Sequence, residues 1–507
     1  MSDPKTYQVR LQPIGAILQV TENGGLRDLL FEQGVEFPCG GHGRCRGCKV
    51  RVVEGKASIG DAEREHLSEK ELQDGWRLAC QLRAEDNLVI ELRQWDASIL
   101  SDDASFTFTP GEGLGVAVDL GTTTLVAQLL DLSTGHVLAV RTALNPQALH
   151  GGDVMSRVQY AVAEGGQEEL TSLIRNQIGK LILQLLRAAQ VSALPLKHVV
   201  VVGNTVMHHL FCGIDLEPLS HYPFEAADDG LHTFTPEELG WTLPATVAVQ
   251  FLPCLGGFVG SDILAGIMAT GIHNSEDLVG LVDLGTNGEI VLGHRGRLLC
   301  ASTAAGPAFE GARISSGMRA STGAIWRVAR LDGHLKCEVL GNVPARGVCG
   351  SGLVDAAAAG LELGLIRPTG RLNTGDSMPL ADSVGLLQSD IRELQLAKGA
   401  IAAGIRLLLS SWDAGSEGVK RLYLAGAFGN YVNRASARRI GLLSFEEQQI
   451  HPVGNTALLG AKMALFAPEG GDATYAGIRA QTEHVSLHAH PQFQDAYVEE
   501  MSFPQGE

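Results

Sequence analysis

Four cysteines stand near the N-terminus of this 507-residue chain, spaced as a metal centre would need them. Cys39, Cys45 and Cys48 lie in FPCGGHGRCRGCKV, and Cys80 follows in WRLACQL. Four thiolates are what a [2Fe–2S] cluster takes, with three in one loop and the fourth far downstream. Gly40, Gly41, Gly43 and Gly47 let that loop turn N–H groups toward anionic sulfur. A zinc site also uses Cys-x2-Cys, but zinc ribbons pair two such knuckles, and here Cys39 and Cys80 stand singly. His42 is the one candidate for a Rieske-type ligand, with no second histidine placed to pair with it. The other five cysteines, Cys212, Cys254, Cys300, Cys337 and Cys349, are scattered singly and read as small hydrophobes.

A second chemistry comes from a repeat. GVAVDLGTTTLVAQLLD begins at Gly115 and GLVDLGTNGEIVLG at Gly280, so Asp119 and Asp283 are equivalent, 164 residues apart. Each motif reads as strand, glycine turn, strand, and two such turns one domain-length apart suit a nucleotide clamp. Gly121 and Gly285 permit close approach to phosphate, and Thr122, Thr123, Thr286 and Asn287 offer donors. Asp119 and Asp283 are expected to hold Mg²⁺ through its waters. No P-loop motif is present. Three acids compete to orient the attacking water. Asp153 and Asp262 each open a helix after a glycine turn, where helix capping is the plainer reading. Glu310 follows the second hairpin, and the choice among the three stays open.

These residues need elements to hold them. YQVRLQPIGAILQVT reads as two strands with a turn at Pro13–Gly15, GGLRDLLFEQGV as a helix capped by Gly34, and CKVRVVEG, WRLACQL and NLVIEL as strands. That order is a β-grasp, expected over 1–95, with a polar linker over 96–113. Residues 114–272 and 273–470 are expected as two lobes of an α/β ATPase, the second returning a helix, GNTALLGAKMAL, to the first. Residues 471–507 are expected to add a half-exposed strand, with His488 and His490 on one face. A balance of 39 basic against 57 acidic residues, net −18, argues against nucleic acid or an anionic membrane as partner. The first residues lack a signal-peptide pattern, and no apolar run reaches ~18 residues. The expectation is a cytoplasmic protein without membrane attachment.

The motif order resembles two known groups. The N-terminal part is similar to [2Fe–2S] ferredoxins with an adrenodoxin-like first gap. The remainder resembles the acetate and sugar kinase, chaperone ATPase and actin superfamily. That resemblance implies ATP as ligand, the two DLGT hairpins as phosphate motifs, and YLAGAFGNYV as the adenosine motif, with Gly426, Ala427 and Gly429 facing adenosine. The whole chain resembles the reductive activators of corrinoid proteins, on CGGHGRCRGCKV, VDLGTTT, NPQ…GGDVMSR, VDLGTNGEI and AGPAFEGA. Membership would imply ATP-driven reduction of Co(II) to Co(I) in a partner corrinoid protein, fed by an external low-potential reductant. The near absence of sequence between linker and first hairpin predicts that the extra middle domain of some members is missing. It leaves open whether the chain is a monomer or a homodimer. Three other readings keep the same motifs: an electron donor to a different metalloenzyme, a small-molecule kinase with an iron–sulfur regulatory domain, and a redox-sensing module that binds ATP without turnover.

Overall fold

The computed structural model describes residues 5–12, 15–22, 24–32, 49–67, 69–92, 106, 108–151, 153–189, 195–285, 287–311, 313–318, 320, 323–381, 384–429, 431–467 and 471–505. The chain divides into two compact units. One comprises Met1–Asp103, Ala308–Leu394 and Gln505–Glu507, the other Ala104–Pro307 and Gln395–Pro504.

In the first unit, strands β1 (Thr6–Gln12), β2 (Ile17–Thr21), β3 (Lys49–Glu54), β4 (Trp76–Leu78) and β5 (Leu88–Leu92) form one sheet in the order β2-β1-β5-β3-β4. The two outermost chain segments, β1 and β5, pair in parallel at its centre, with Val9 opposite Leu88. Tyr7, Val9 and Leu11 alternate inward along β1, the period a half-buried strand requires. They pack with Leu26, Leu30 and Ile90 in one apolar cluster, so the helix Arg27–Glu32 covers the sheet. The β-grasp expectation is met.

The second unit opens on aromatic packing. Residues 96–105 and 107 of the expected linker lie outside the described residues. From Phe106 the chain is built into this unit, with the Phe108 and Phe466 rings 4.4 Å apart between centroids. Strands β6 (Leu114–Leu120), β7 (Thr124–Asp131), β8 (Val137–Leu144), β9 (Leu196–Gly203), β10 (His232–Phe234) and β11 (Ala248–Phe251) make a six-stranded sheet. A second sheet begins with β12 (Val279–Leu284), β13 (Gly288–His294) and β14 (Arg297–Thr303). The chain then passes through 308–394 of the first unit, where β15 (Ala324–Leu331), β16 (His334–Val339) and β17 (Gly347–Val348) pair beside the hairpin β18 (Ser377–Ala381) and β19 (Val384–Leu387). It returns to complete the second sheet with β20 (Arg421–Ala425), β21 (Ile450–Gly454) and β22 (Thr482–His484).

The two large sheets repeat one topology. The first contains the order β11-β9-β6-β7-β8 and the second β21-β20-β12-β13-β14. In both, the hairpin strands are antiparallel and the other pairs parallel. The central strands carry near-continuous apolar runs because both faces are covered. The helices Ser261–Thr270 and Thr456–Leu465 follow β11 and β21 and pack on each other, and the latter also packs on β6 and β9. Their crossing is close enough that a side chain on Gly460 would strike the backbone of Ala265.

The chain end corrects one expectation. Among the described residues from 471 on, only Thr482–His484 pairs as a strand, against Leu298–Cys300. Leu487–Ala489 is a single helical turn and Phe493–Glu500 a helix. His488 and His490 therefore share no strand face. Pro491 cannot donate to a ladder, which ends any extension there. Among the scattered cysteines, Cys254, Cys300 and Cys349 are buried, while Cys212 and Cys337 are partly so. Burial raises the Cys254, Cys212 and Cys337 thiols, and pushes Cys300 up to about 12, which keeps them as unreactive thiols.

Candidate nucleotide site and cluster site

Four carboxyl groups converge in the second unit, each brought by a different element. Asp119 is the penultimate residue of β6 and Asp283 that of β12. Glu289 on β13 is the cross-strand partner of Asp283, so their side chains leave the sheet on one face. Asp262 is the second residue of the helix Ser261–Thr270. That helix start is locked to the end of β9, because the Ser261 hydroxyl meets both the N–H and the C=O of Gly203 at 3.1 Å. Its cap residue is Gly260, and the Asp262 carboxyl accepts its neighbour's N–H at 2.9 Å without capping the helix. Capping therefore does not account for Asp262. It does account for Asp153, which accepts from Ser156 N at 2.9 Å in a capping box.

The four acids feel each other. Burial pushes Asp119 up to about 6, against a hydrogen bond from Asn455 that pulls it down. Burial and then the Asp119 charge push Asp283 up to about 7. Burial, then Asp283 and Asp119, push Asp262 up to about 7. Glu289 is raised well above the usual range by burial and then by Asp262 and Asp283. Yet among the described residues no three acidic, histidine or cysteine side chains come together as direct metal ligands. The acids are near enough to repel, yet among the described residues no three of them are arranged to bind one bare ion directly. That donor set fits a cation that keeps its water shell.

Around Asp119 the first hairpin turns in three residues, Gly121 to Thr123. A side chain on Gly121 would stand 2.5 Å from Thr124 O, so the tight turn needs glycine there. The tip's oxygens are taken up from behind. Asn145 donates Nδ2 to Gly121 O at 3.0 Å and its own N–H to Thr123 O at 2.9 Å. Arg157 donates Nη2 to Thr122 O at 2.6 Å, and Asn204 donates Nδ2 to the Thr122 hydroxyl at 2.9 Å. Among the described residues nothing receives the backbone N–H of Thr122 or Thr123. Gly121 N–H closes the turn on Thr124 O at 3.2 Å, so the tip keeps the Thr122 and Thr123 donors and spends its acceptors, as an anion site must.

The second hairpin is plainer. Gly285 faces open space, with only Asn287 O within 3.7 Å of a built side chain. Gly285 N–H donates to Asn287 O at 3.0 Å, and Thr286 lies outside the described residues. Gly426 follows β20 at φ +87°, where a side chain would stand 2.6 Å from Asp283 Oδ1. The structure thus places Gly426 against the acid itself. Gly429 ends the short helix that begins at Gly426, and its neighbour is Leu424. The side chains of Ala427 and of Glu310, in the turn Pro307–Glu310, lie outside the described residues.

For the cluster, the described ligand candidate is Cys80; Cys39, Cys45 and Cys48 lie outside the described residues, as does His42. Cys80 follows β4 in a turn closed by Gln81 N–H donating to Leu78 O at 2.8 Å. Its sulfur accepts from Gln81 Nε2 at 3.5 Å and stays partly exposed, which suits a thiolate reached from solvent. Glu63, 1% exposed, fixes the approach: it accepts Leu78 N–H at 2.9 Å and Gly60 N–H at 2.8 Å.

The sequence reading gave no role to Glu63, Asn145, Arg157, Asn204, Glu289 or Asn455. Asn145 opens NPQ, where Asn before Pro starts a turn, Arg157 ends GGDVMSR, Glu289 lies in VDLGTNGEI and Asn455 in GNTALLGAKMAL, motifs it singled out without a role for each residue.

Comparison with known proteins fits this division. Residues 9–85 match the 2Fe-2S iron-sulfur cluster binding domain, 114–275 the RACo middle region, and 277–507 the C-terminal domain of RACo, the ASKHA domain. The second match begins where β6 begins and covers the residues read as the first lobe. The corrinoid activation enzyme RamQ of Eubacterium limosum is 33% identical over 414 residues, covering 76% of this chain and 69% of that protein. The [Co(II) methylated amine-specific corrinoid protein] reductase of Methanosarcina barkeri is 29% identical, covering 77% of each. The solved structure of a reductive activator for corrinoid, iron-sulfur protein superposes with a TM-score of 0.69 at 28% identity, over 98% of both chains.

Proposed function

The chain belongs to the family of reductive activators of corrinoid proteins, and from that membership we propose how its own residues serve the reaction. It is an ATP-dependent activase that carries a [2Fe–2S] domain and an actin-like ATPase domain and reduces a corrinoid protein's cobalt from Co(II) to Co(I). The cluster, when bound, supplies single-electron transfer at low potential. In the ATPase unit, Thr122 and Thr123 present N–H groups to the nucleotide phosphates. Asp119 and Asp283 hold hydrated Mg²⁺ from the ends of equivalent strands. Asp262 takes a proton from the water that attacks the terminal phosphorus, as the bond to the ADP oxygen breaks. A carboxyl whose value stands near 7 is matched to that task at neutral pH.

ATP turnover alters cobalt reduction only if the ATP-bound and ADP-bound forms bind the corrinoid partner differently. We propose that the partner is the corrinoid protein of a methyltransferase system and that the electron enters from an external low-potential reductant. The observation that carries the reading is the convergence of four buried acids at the phosphate ends of a duplicated sheet. The test mixes the purified protein with a Co(II) corrinoid protein, ATP, Mg²⁺ and a reductant, and follows Co(I) absorption. ATP-dependent Co(I) formation is expected, and Asp119→Asn should abolish it. Unchanged Co(I) formation in that variant would remove Asp119 from the site.

A further inference from the structure

Arg157 is 0% exposed, yet among the described residues no carboxylate pairs with it. Its partners are Thr122 O at 2.6 Å, Gly151 O at 3.0 Å, Gln147 Oε1 at 3.1 Å and Met207 Sδ at 3.7 Å, all neutral. Asp153, in the same segment, favours the guanidinium through its charge but makes no hydrogen bond to it, because its carboxylate is engaged in capping its helix. Buried charges are ordinarily paired, because an unpaired one pays desolvation without Coulombic return. The segment this charge grips is the tip of the first hairpin, at Thr122 O.

We propose that Arg157 is a positioning residue for the nucleotide: it fixes the orientation of the hairpin's peptide groups and supplies buried positive charge that favours the phosphates. The inference rests on reading Gly121–Thr123 as a phosphate hairpin. In a trans peptide the C=O and N–H point in opposite directions. Arg157 pulling on Thr122 O therefore turns the Thr123 N–H the other way. Asn145 pulling on Gly121 O does the same for the Thr122 N–H. Two successive N–H groups then face one side, the arrangement of an anion-binding nest. A charged donor on the carbonyl also polarises that peptide and strengthens its N–H as a donor. Gln147 holds the guanidinium in its plane and is itself fixed, since its Nε2 donates to Leu170 O at 2.9 Å. Lysine would keep the charge but lose the fork that contacts three acceptors at once.

The readout is how nucleotide affinity depends on phosphate charge, which a general loosening of the fold would not select. ATP, ADP and adenosine are titrated by calorimetry into the full-length protein and its Arg157→Met, Arg157→Lys and Gly121→Ala variants. Arg157→Met should weaken ATP by at least about tenfold, ADP by less, and adenosine by under roughly twofold. Arg157→Lys should fall between Met and wild type for ATP. Equal losses for ATP and adenosine, or no loss for ATP, would overturn the proposal. If Arg157→Met does not fold, the Lys variant decides alone, by a loss confined to the phosphorylated ligands or its absence. If Gly121→Ala weakens ATP and the Arg157 variants do not, the role of Arg157 falls. If none of the three changes ATP affinity, the hairpin reading falls with it.

Discussion

Asn455 Nδ2 donates to Asp119 Oδ2 at 2.7 Å, joining residues 336 positions apart in the chain. The same side chain caps the helix Thr456–Leu465, accepting Leu458 N–H on Oδ1 at 2.8 Å. One amide thus starts a helix belonging to the second sheet and orients an acid of the first. Asn455→Asp keeps the capping oxygen and removes the donor, placing a second carboxylate against Asp119. Its melting temperature should stay close to wild type while ATP turnover falls by at least about tenfold. Asn455→Ala should lose the turnover and also about 1 kcal/mol of stability from the cap. Full turnover in Asn455→Asp would show that the contact with Asp119 does not matter.

The raised acids predict a pH-dependent response to Mg²⁺. Asp119 stands at about 6 and Asp283 at about 7, against an ordinary 3.8. Between about pH 4 and pH 7 the folded state therefore holds protons that the unfolded chain has released. Stability contributed by these groups falls as pH rises through that window and changes little above it. A cation held by the acids competes with those protons. The rise in melting temperature on adding Mg²⁺ should be small at pH 5, grow to about pH 7, and then level off. The difference with and without Mg²⁺ at each pH cancels titrations elsewhere in the chain. A Mg²⁺ shift that is flat from pH 5 to 8 would remove these acids from the cation site.

Gly426 makes a sharper steric prediction. It adopts φ +87°, which side chains rarely tolerate, and its missing Cβ lies 2.6 Å from Asp283 Oδ1. Gly426→Ala should displace the carboxylate. ATP turnover should drop at least about tenfold in a protein that still folds, since a strained residue of this kind costs roughly 1–3 kcal/mol. Steady-state kinetics with a thermal melt on the same sample would check it, and wild-type turnover would refute the geometry.

The cluster site separates ligation from positioning. Cys80→Ser should abolish the visible absorption of the cluster while ATP hydrolysis persists in the other unit. Glu63→Ala keeps every cysteine but leaves the buried Leu78 N–H without its acceptor, a loss of roughly 1–3 kcal/mol. Iron release to a chelator should be faster in that variant, by absorbance decay. An unchanged release rate would mean that Glu63 supports the fold without steadying the ligand turn.

The sequence made the chemistry legible where function needs a fixed spacing of rare residue types. The cysteines, the two DLGT turns and the duplicated lobe they implied could be read because each motif is local. Asp262 could be recognised as a candidate but not separated from Asp153, since both open helices after glycine turns. Only the structure shows that Asp153 spends its carboxylate on a cap while Gly260 takes that position for Asp262. Glu289, Arg157 and Asn455 were out of reach for a different reason. A strand residue, a helix residue and a helix cap acquire meaning only from what folding brings against them. The terminal histidines failed in the other direction, because alternation over a few residues cannot distinguish a strand from a helical turn next to a proline.

The crossing at Gly460 and Ala265 has a mechanical consequence. Two helices that meet through backbone have no interlocked side chains there, so the contact resists separation more than sliding. Asp262 begins one of these helices, and Asn455 caps the other. Shear along that contact would change the spacing between Asp262 and the clasp on Asp119, with little repacking at the crossing itself. A bulky residue at position 460 would act as a wedge, and its effect on turnover would measure how much travel the catalytic cycle requires.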